Sequence, residues 1–284
     1  MITSTSNAQV KQLLLLQKKA KERSAQDVFV VEGPKMFLEA PAERLVQTYV
    51  SEDYYNKNQK LFDGNSRVTV LSNRVFESVS DTRTPQGVLC LVRQYHYELS
   101  DLLRTGFAKA ENGSHRELLA ERADFQGSRK PLVAALENLQ DPGNMGTILR
   151  TAEAAGATGI LLGSACVDLY NPKVIRSTMG AIYRMPFYYA KDFRQELRVL
   201  SQKGVRWYAA HLEGSVPYDA ENYLGPSGFI IGNESRGLTP ETTAAADACI
   251  RIPMCGQTES LNAAVAASIL MYEANRQRRG ALQK

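Results

Sequence analysis

Three loops of this chain set glycine beside polar side chains in a way a packed core would not use. They are QDPGNMG at 140–146, GNESRGL at 232–238 and PMCGQTESLN at 253–262. Glycine lets backbone approach a ligand closely, and asparagine, serine, glutamate and arginine supply the groups that orient it. Asn144, Arg150, Glu234, Ser260 and Asn262 are the side chains in or just after these loops that suit positioning, anion binding or proton handling. Each has a plainer reading when taken alone. Pro-Gly-Asn is a turn signature, Asn144 can cap a helix, and Arg150 can pair with Glu153 at i+3. Glu234 can be a solvated acid, and Ser260 an N-cap with Asn262 in the exposed first turn.

Several other chemistries lack their residues. No G-x-G-x-x-G follows a strand, no P-loop is present, and no G-x-S-x-G elbow occurs. Cys90, Cys166, Cys249 and Cys255 form no C-x-x-C pair, and His96, His115 and His211 sit in unrelated segments. A zinc site is therefore not expected, and the cysteines read as reduced thiols. Cys255 has no histidine near it in sequence, which makes it a poor candidate nucleophile.

The elements that must position the three loops alternate between strand and helix. Pro131–Leu136 is a continuous apolar run suited to a buried parallel strand. A helix follows from about Met145 to Ala155, with Met145, Ile148, Leu149, Ala152 and Ala155 on one stripe and Gly156 ending it. Gly159–Gly163 supplies the next strand, completing one βαβ unit. Val205–Ala210 and Gly228–Gly232 read as two more strands, each preceded by a helix. Ile250–Pro253 is a short last strand, before a helix from about Ser260 to Arg278. This alternation implies an α/β domain with a mostly parallel sheet, and each loop then lies where a strand ends, the usual ligand edge of such a sheet.

The first half has its own texture. Residues 6–23 read as one helix capped by Ser6 or Asn7, with Lys11, Lys18, Lys19, Lys21 and Arg23 spread around its polar face. Val28–Val31 is a strand ending at Glu32-Gly33-Pro34, with a helix expected over Lys35–Ala40. Short apolar stretches at 45–50, 67–71 and 87–92 complete a smaller α/β domain over residues 1–95. From 96 to 130 the sequence turns polar and reads as a linker or insertion with one short helix, leaving 131–284 as the second domain.

With 284 residues, two domains are the default expectation. The 44% hydrophobic and 23% charged residues are those of an ordinary globular protein rather than a disordered one. A net charge of +4 permits a nucleic-acid partner without requiring one. MITSTSNAQVKQ lacks the apolar core of a signal peptide, and no run approaches a membrane span, so a cytoplasmic protein with no membrane partner is expected.

Together, in this order and spacing, the loops resemble the signature motifs of the SpoU/TrmH family within the SPOUT RNA methyltransferases. The matching stretches are NLQDPGNMGTILRTAEAAGATGILL at 138–162, FIIGNESRGL at 229–238 and RIPMCGQTESLNAAVAASILMYEANRQ at 251–277. NPKVIRSTMGAIYRMPF at 171–187 resembles the family's segment between the first two motifs. VVEGPKM at 30–36 and DTRTPQGVL at 81–89 are similar, more loosely, to its RNA substrate-binding domain.

The resemblance implies a deep trefoil knot, S-adenosylmethionine as cofactor, a homodimer and methyl transfer to a ribose 2′-hydroxyl. Large-subunit ribosomal RNA is the favoured substrate; a tRNA enzyme of the same family, or a non-catalytic RNA-binding or ribosome-assembly factor, are the alternatives. By position it assigns Gly232, Ile252, Met254 and Leu261 to the cofactor. Arg150 would bind the phosphate beside the target, Asn144 would help place the ribose or Arg150, Glu234 would act as base or orienting group, and Ser260 and Asn262 would complete the polar wall. Lys11, Lys18, Lys19, Arg23, Lys35 and Arg83 would then hold RNA through phosphates.

Overall fold

The computed structural model describes residues 1–64, 67–105, 130–212 and 216–282, and its chain divides into two compact units. Of the 96–130 segment only 96–105 and 130 are described, and Leu99–Leu103 there form a 3-10 helix; His115 lies outside the described residues.

The first unit comprises Met1–Tyr95 together with Asp168–Tyr183. Two helices open it, α1 (Ala8–Lys18) and α2 (Ala20–Gln26), where the sequence suggested one. Lys19 adopts an extended conformation at φ −121° and ψ 114°, which interrupts the helix there. Asn7 is the N-cap, its side chain accepting from Gln9 N–H.

A four-stranded sheet follows in the order β1-β4-β2-β3, with β1 (Val28–Glu32), β2 (Leu45–Ser51), β3 (Val68–Leu71) and β4 (Val88–Arg93). Helices α3 (Pro34–Glu39), α4 (Glu52–Lys57) and α5 (Asn73–Val79) connect the strands. Strand β1 shows why its sequence is apolar without alternation. Val28 and Val30 join the core formed with Val10, Leu13, Leu16 and Phe76, while Phe29 stacks on Tyr170 at 4.8 Å and lies near Tyr183. Successive strand residues point to opposite faces, so both faces of β1 are covered, one of them by a segment from far along the chain.

That segment is held by polar contacts as well. Tyr170 Oη donates to Tyr95 O and accepts from Tyr95 N–H, and Tyr183 Oη donates to Met36 O at 2.9 Å.

The second unit comprises His96–Val167 and Arg184–Lys284. It contains β5 (Leu132–Leu136), α6 (Pro142–Ala155) and β6 (Gly159–Leu162); the chain then forms α7 (Pro172–Thr178) in the first unit and returns as β7 (Phe187–Tyr189). There follow α8 (Phe193–Gln202), β8 (Arg206–Ala210), β9 (Val216–Pro217), β10 (Ser227–Ile231), α9 (Pro240–Thr243), β11 (Ala248–Arg251) and α10 (Ala263–Leu282). The seven strands run in the order β7-β6-β5-β10-β8-β11-β9, and every pairing is parallel.

Strands β5 and β10 are buried along their whole length, as the apolar runs require. Gly228 on β10 is glycine for a packing reason: a Cβ there would lie 2.1 Å from the ring of Trp207 on neighbouring β8. Helix α6 buries Met145, Ile148 and Leu149, each worth roughly 1.5–3 kcal/mol on removal from water. Helix α10 packs on α6 and buries Ala263, Ala264, Ala267, Leu270 and Met271, and Asn275 Nδ2 donates to Ala155 O at 2.9 Å. The helix expected before β10 is a single 3-10 turn, Tyr218–Ala220, because Pro217, Gly225 and Pro226 crowd a short connection.

Candidate active site

Parallel pairing of β5, β10, β8 and β11 in adjacent order brings their four C-terminal ends out on one edge of the sheet. The loops that leave these ends are 137–141, 232–238, 211–212 and 252–262. A cavity of about 390 Å³ lies among the last three, a size ordinary for a small-molecule site. Gly232, Ile252, Met254 and Leu261 all line it, with Glu234 and Ser260. Its walls are completed by Ile231, Leu238, Ile250 and Leu270 on the apolar side.

Backbone forms one wall at Gly232. A Cβ there would lie 2.2 Å from Gly237 C and 2.4 Å from both Gly237 O and Leu238 N, so no larger residue fits without moving main chain. The adjoining turn is closed by paired Asn233 N–H to Gly237 O (3.0 Å) and Gly237 N–H to Asn233 O (2.9 Å) bonds. The Asn233 side chain fixes it further, accepting from Ser235 and Arg236 N–H and donating to Asn138 O at 2.8 Å.

A directional relay joins the three sequence loops. Asn262 Nδ2 donates to Asn144 Oδ1 at 2.9 Å, and Asn144 Nδ2 donates to Glu234 Oε1 at 3.1 Å. Glu234 also accepts from Asp141 N–H (2.9 Å) and Gln140 N–H (3.2 Å), while Asn262 Oδ1 accepts from Ala264 and Val265 N–H at the start of α10. A carboxylate has no hydrogen to give, so Asn144 must turn its amide NH₂ toward it and its carbonyl toward Asn262. Burial by itself would raise the Glu234 carboxyl, but these donors outweigh it and hold the group below the usual glutamate range.

Asn144 is buried with both ends of its amide engaged inside the protein, an arrangement that suits a positioning role. Two helix caps differ from the sequence expectation. Asp141, not Asn144, caps α6, its carboxylate accepting from Asn144 N–H at 2.7 Å. Asn262 likewise caps α10, so the helix starts at Ala263 rather than at Ser260. Arg150 is exposed on α6, and no side-chain partner holds it among the described residues. Glu153 is committed elsewhere, to a bidentate contact with Arg184.

Among the RNA-contact candidates Lys11, Lys18, Lys19, Lys35 and Arg83 are exposed. Arg23 is a correction. It is only 3% exposed, donates to Leu16 O (2.7 Å) and Gln17 O (3.1 Å) and forms an ion pair with Asp168, so its charge serves the first unit's interior. The two N-terminal stretches singled out in the sequence meet here: Glu32 accepts from Ser80 Oγ, from Thr82 Oγ1 at 2.7 Å and from Asp81 N–H at 3.1 Å, pinning the turn that carries Arg83.

Sequence reasoning passed over Ala210, His211, Leu212 and Arg236, which also line the cavity. The first three follow β8, whose C-terminal end was a legible signal; Arg236 sat inside a quoted motif. No group of three or more His, Cys, Asp or Glu side chains suited to a metal occurs among the described residues, and no described helix is long and apolar enough to cross a membrane.

Comparison with known proteins gives two family matches. Residues 131–272 match the SpoU rRNA Methylase family, and residues 7–90 match the MRM3-like substrate binding domain. The chain is 29% identical over 272 residues to 23S rRNA (guanosine(2553)-2′-O)-methyltransferase RlmP of Bacillus subtilis, covering 95% of this chain and 97% of that protein. It is 30% identical to a tRNA/rRNA methyltransferase of Synechocystis of unassigned specificity, over 97% of this chain and 93% of the other. Its fold matches the crystal structure of an AdoMet-bound rRNA methyltransferase from Sinorhizobium meliloti with a TM-score of 0.78, at 29% identity over 97% of both chains.

Proposed function

The chain belongs to the SpoU rRNA methylase family, and on that footing we propose that it methylates a ribose 2′-hydroxyl of large-subunit ribosomal RNA. It is an S-adenosylmethionine-dependent RNA methyltransferase. The observation that carries the reading is the cavity itself, where Gly232, Ile252, Met254 and Leu261 converge beside the Asn262–Asn144–Glu234 relay. The bare backbone at Gly232 and the apolar walls suit a flat purine with a polar tail. Bound there, the cofactor supplies a methyl group made electrophilic by its sulfonium.

This chain's residues then have to bring a ribose oxygen in line with that methyl, and positioning of this kind supplies much of the rate. Arg150 presents a free guanidinium on the rigid α6 and grips the phosphate next to the target ribose, in a bidentate contact that fixes the hydroxyl. Its pKa above about 12 makes it an orienting group rather than a base. Glu234, with a lowered pKa and four donors on its oxygens, is also a weak base; it orients the first and second loops. Ser260, on the cavity wall, offers a hydroxyl to the bound groups.

Ribosomal RNA is favoured over tRNA by the match of residues 7–90 to a substrate-binding domain and by the identity to a 23S rRNA enzyme along almost the whole chain. The active molecule is a homodimer in this reading, supported by the exposed Val265 and Tyr272, which share one face of α10 at i and i+7. Sedimentation should give twice the chain mass, and a monomer at micromolar concentration would count against it. Nucleoside analysis of RNA methylated by the purified protein tests the chemistry. A 2′-O-methyl nucleoside is expected; a base-methylated one would overturn the reading.

A further inference from the structure

Arg236 stands apart from the other charged groups around the cavity. Among the described residues that line it, Arg236 is the only arginine or lysine, and Glu234 is the only carboxylate. The Glu234 oxygens accept from Gln140, Asp141, Asn144 and Asn233, and among the described residues no ion pair joins them to the arginine two residues on. No side-chain partner engages the Arg236 guanidinium among the described residues, although its backbone N–H is fixed at 3.1 Å to Asn233 Oδ1. The base of its stem is thus held while the guanidinium keeps its donors for an occupant, on a wall that also carries the polar side chains of Asn233, Ser235 and Ser260.

A lone cation on the wall of a small cavity favours an anionic group in the occupant. S-adenosylmethionine carries one such group, the carboxylate of its amino-acid tail. We infer that Arg236 binds that carboxylate and so sets which end of the cavity the amino-acid tail occupies; this rests on the methyltransferase reading above. A guanidinium takes a carboxylate through two parallel N–H···O bonds, so the contact orients the tail as well as holding it. The sulfonium and the α-ammonium are both positive, which leaves the carboxylate as the end that an arginine attracts. By holding it, Arg236 keeps the tail against the 233–237 turn and the methyl free to face the RNA.

The test measures binding without RNA, by calorimetry, for wild type, Arg236→Met and Arg236→Lys, with S-adenosylmethionine and with its decarboxylated analogue. Loss of one solvent-exposed charge-assisted pair should weaken S-adenosylmethionine by about tenfold in Arg236→Met. The analogue, which lacks the carboxylate, should bind wild type and Arg236→Met alike, and Arg236→Lys should recover part of the loss. Equal weakening of both ligands would overturn the inference in favour of simple packing. Unchanged cofactor affinity with a raised KM for RNA would overturn it in favour of a phosphate grip. Failure of S-adenosylmethionine to bind wild type would instead overturn the methyltransferase reading on which it stands.

Discussion

Asn144 and Glu234, 90 residues apart in sequence, are joined by a 3.1 Å hydrogen bond from amide Nδ2 to carboxylate Oε1. The bond ties the start of α6 to the loop after β10, and the Asn262 contact adds the loop before α10. The relay depends on an ionised carboxylate, because a protonated Glu234 would set a hydrogen against the Asp141 or Gln140 N–H donors.

The pH dependence follows from the direction of the shift. Glu234 is held below the ordinary glutamate value, so its contribution is complete above that value, about 4.3, and is lost as pH falls through the depressed one. The Glu234 contribution to cofactor affinity should stay level at and above the ordinary glutamate value and fall only at pH below it. In Glu234→Gln cofactor affinity should be weaker at neutral pH and show no such acid limb. An unchanged acid midpoint in that variant, read by cofactor titration, would remove the relay from the account.

Gly232→Ala should abolish cofactor binding, because its Cβ meets main chain at 2.2 Å and the 237–238 backbone must shift. Gly256→Ala, in the loop after β11 where a Cβ would meet nothing within 4 Å, should bind normally. Calorimetry on the pair distinguishes a backbone wall from a generally sensitive loop; equal behaviour of the two variants would show there is no wall.

The proposed reading places RNA affinity on exposed cations of the first unit. Lys35→Ala and Arg83→Ala should each weaken RNA binding and reduce the slope of log K against log salt by roughly 0.7 to 0.9, with cofactor affinity unchanged. Arg23→Ala should leave that slope alone and lower stability instead, by about 2–3 kcal/mol, since it strands Asp168 and two carbonyls. A slope change in Arg23→Ala would return that residue to the RNA surface. Removing residues 1–95 outright would be uninformative, because Tyr170, Ile175 and Tyr183 would lose the core they pack in.

Much of this was legible because local pattern and tertiary role agree. The runs at 131–136 and 159–163 are apolar on every residue, as strands covered on both faces must be, and the glycine-bearing loops fall at the strand ends. What was illegible depended on distant partners. Strands β7 and β9, of 3 and 2 residues, are too short to show a period. Arg23 looks in sequence like its neighbouring lysines, and only the docking of Asp168 assigns it to the interior. Asn144 reads as a helix cap until Asp141 takes that place, and its links to Glu234 and Asn262 span 90 and 118 residues of sequence.

The most direct measurement is transfer of labelled methyl groups from S-adenosylmethionine to unmodified ribosomal RNA and, separately, to tRNA, by wild type and Arg150→Ala. The account predicts label in large-subunit RNA as a 2′-O-methyl nucleoside, lost in Arg150→Ala while cofactor binding is kept. Label in tRNA alone would contradict the substrate, and full transfer by Arg150→Ala would contradict the role given to the one free arginine of α6.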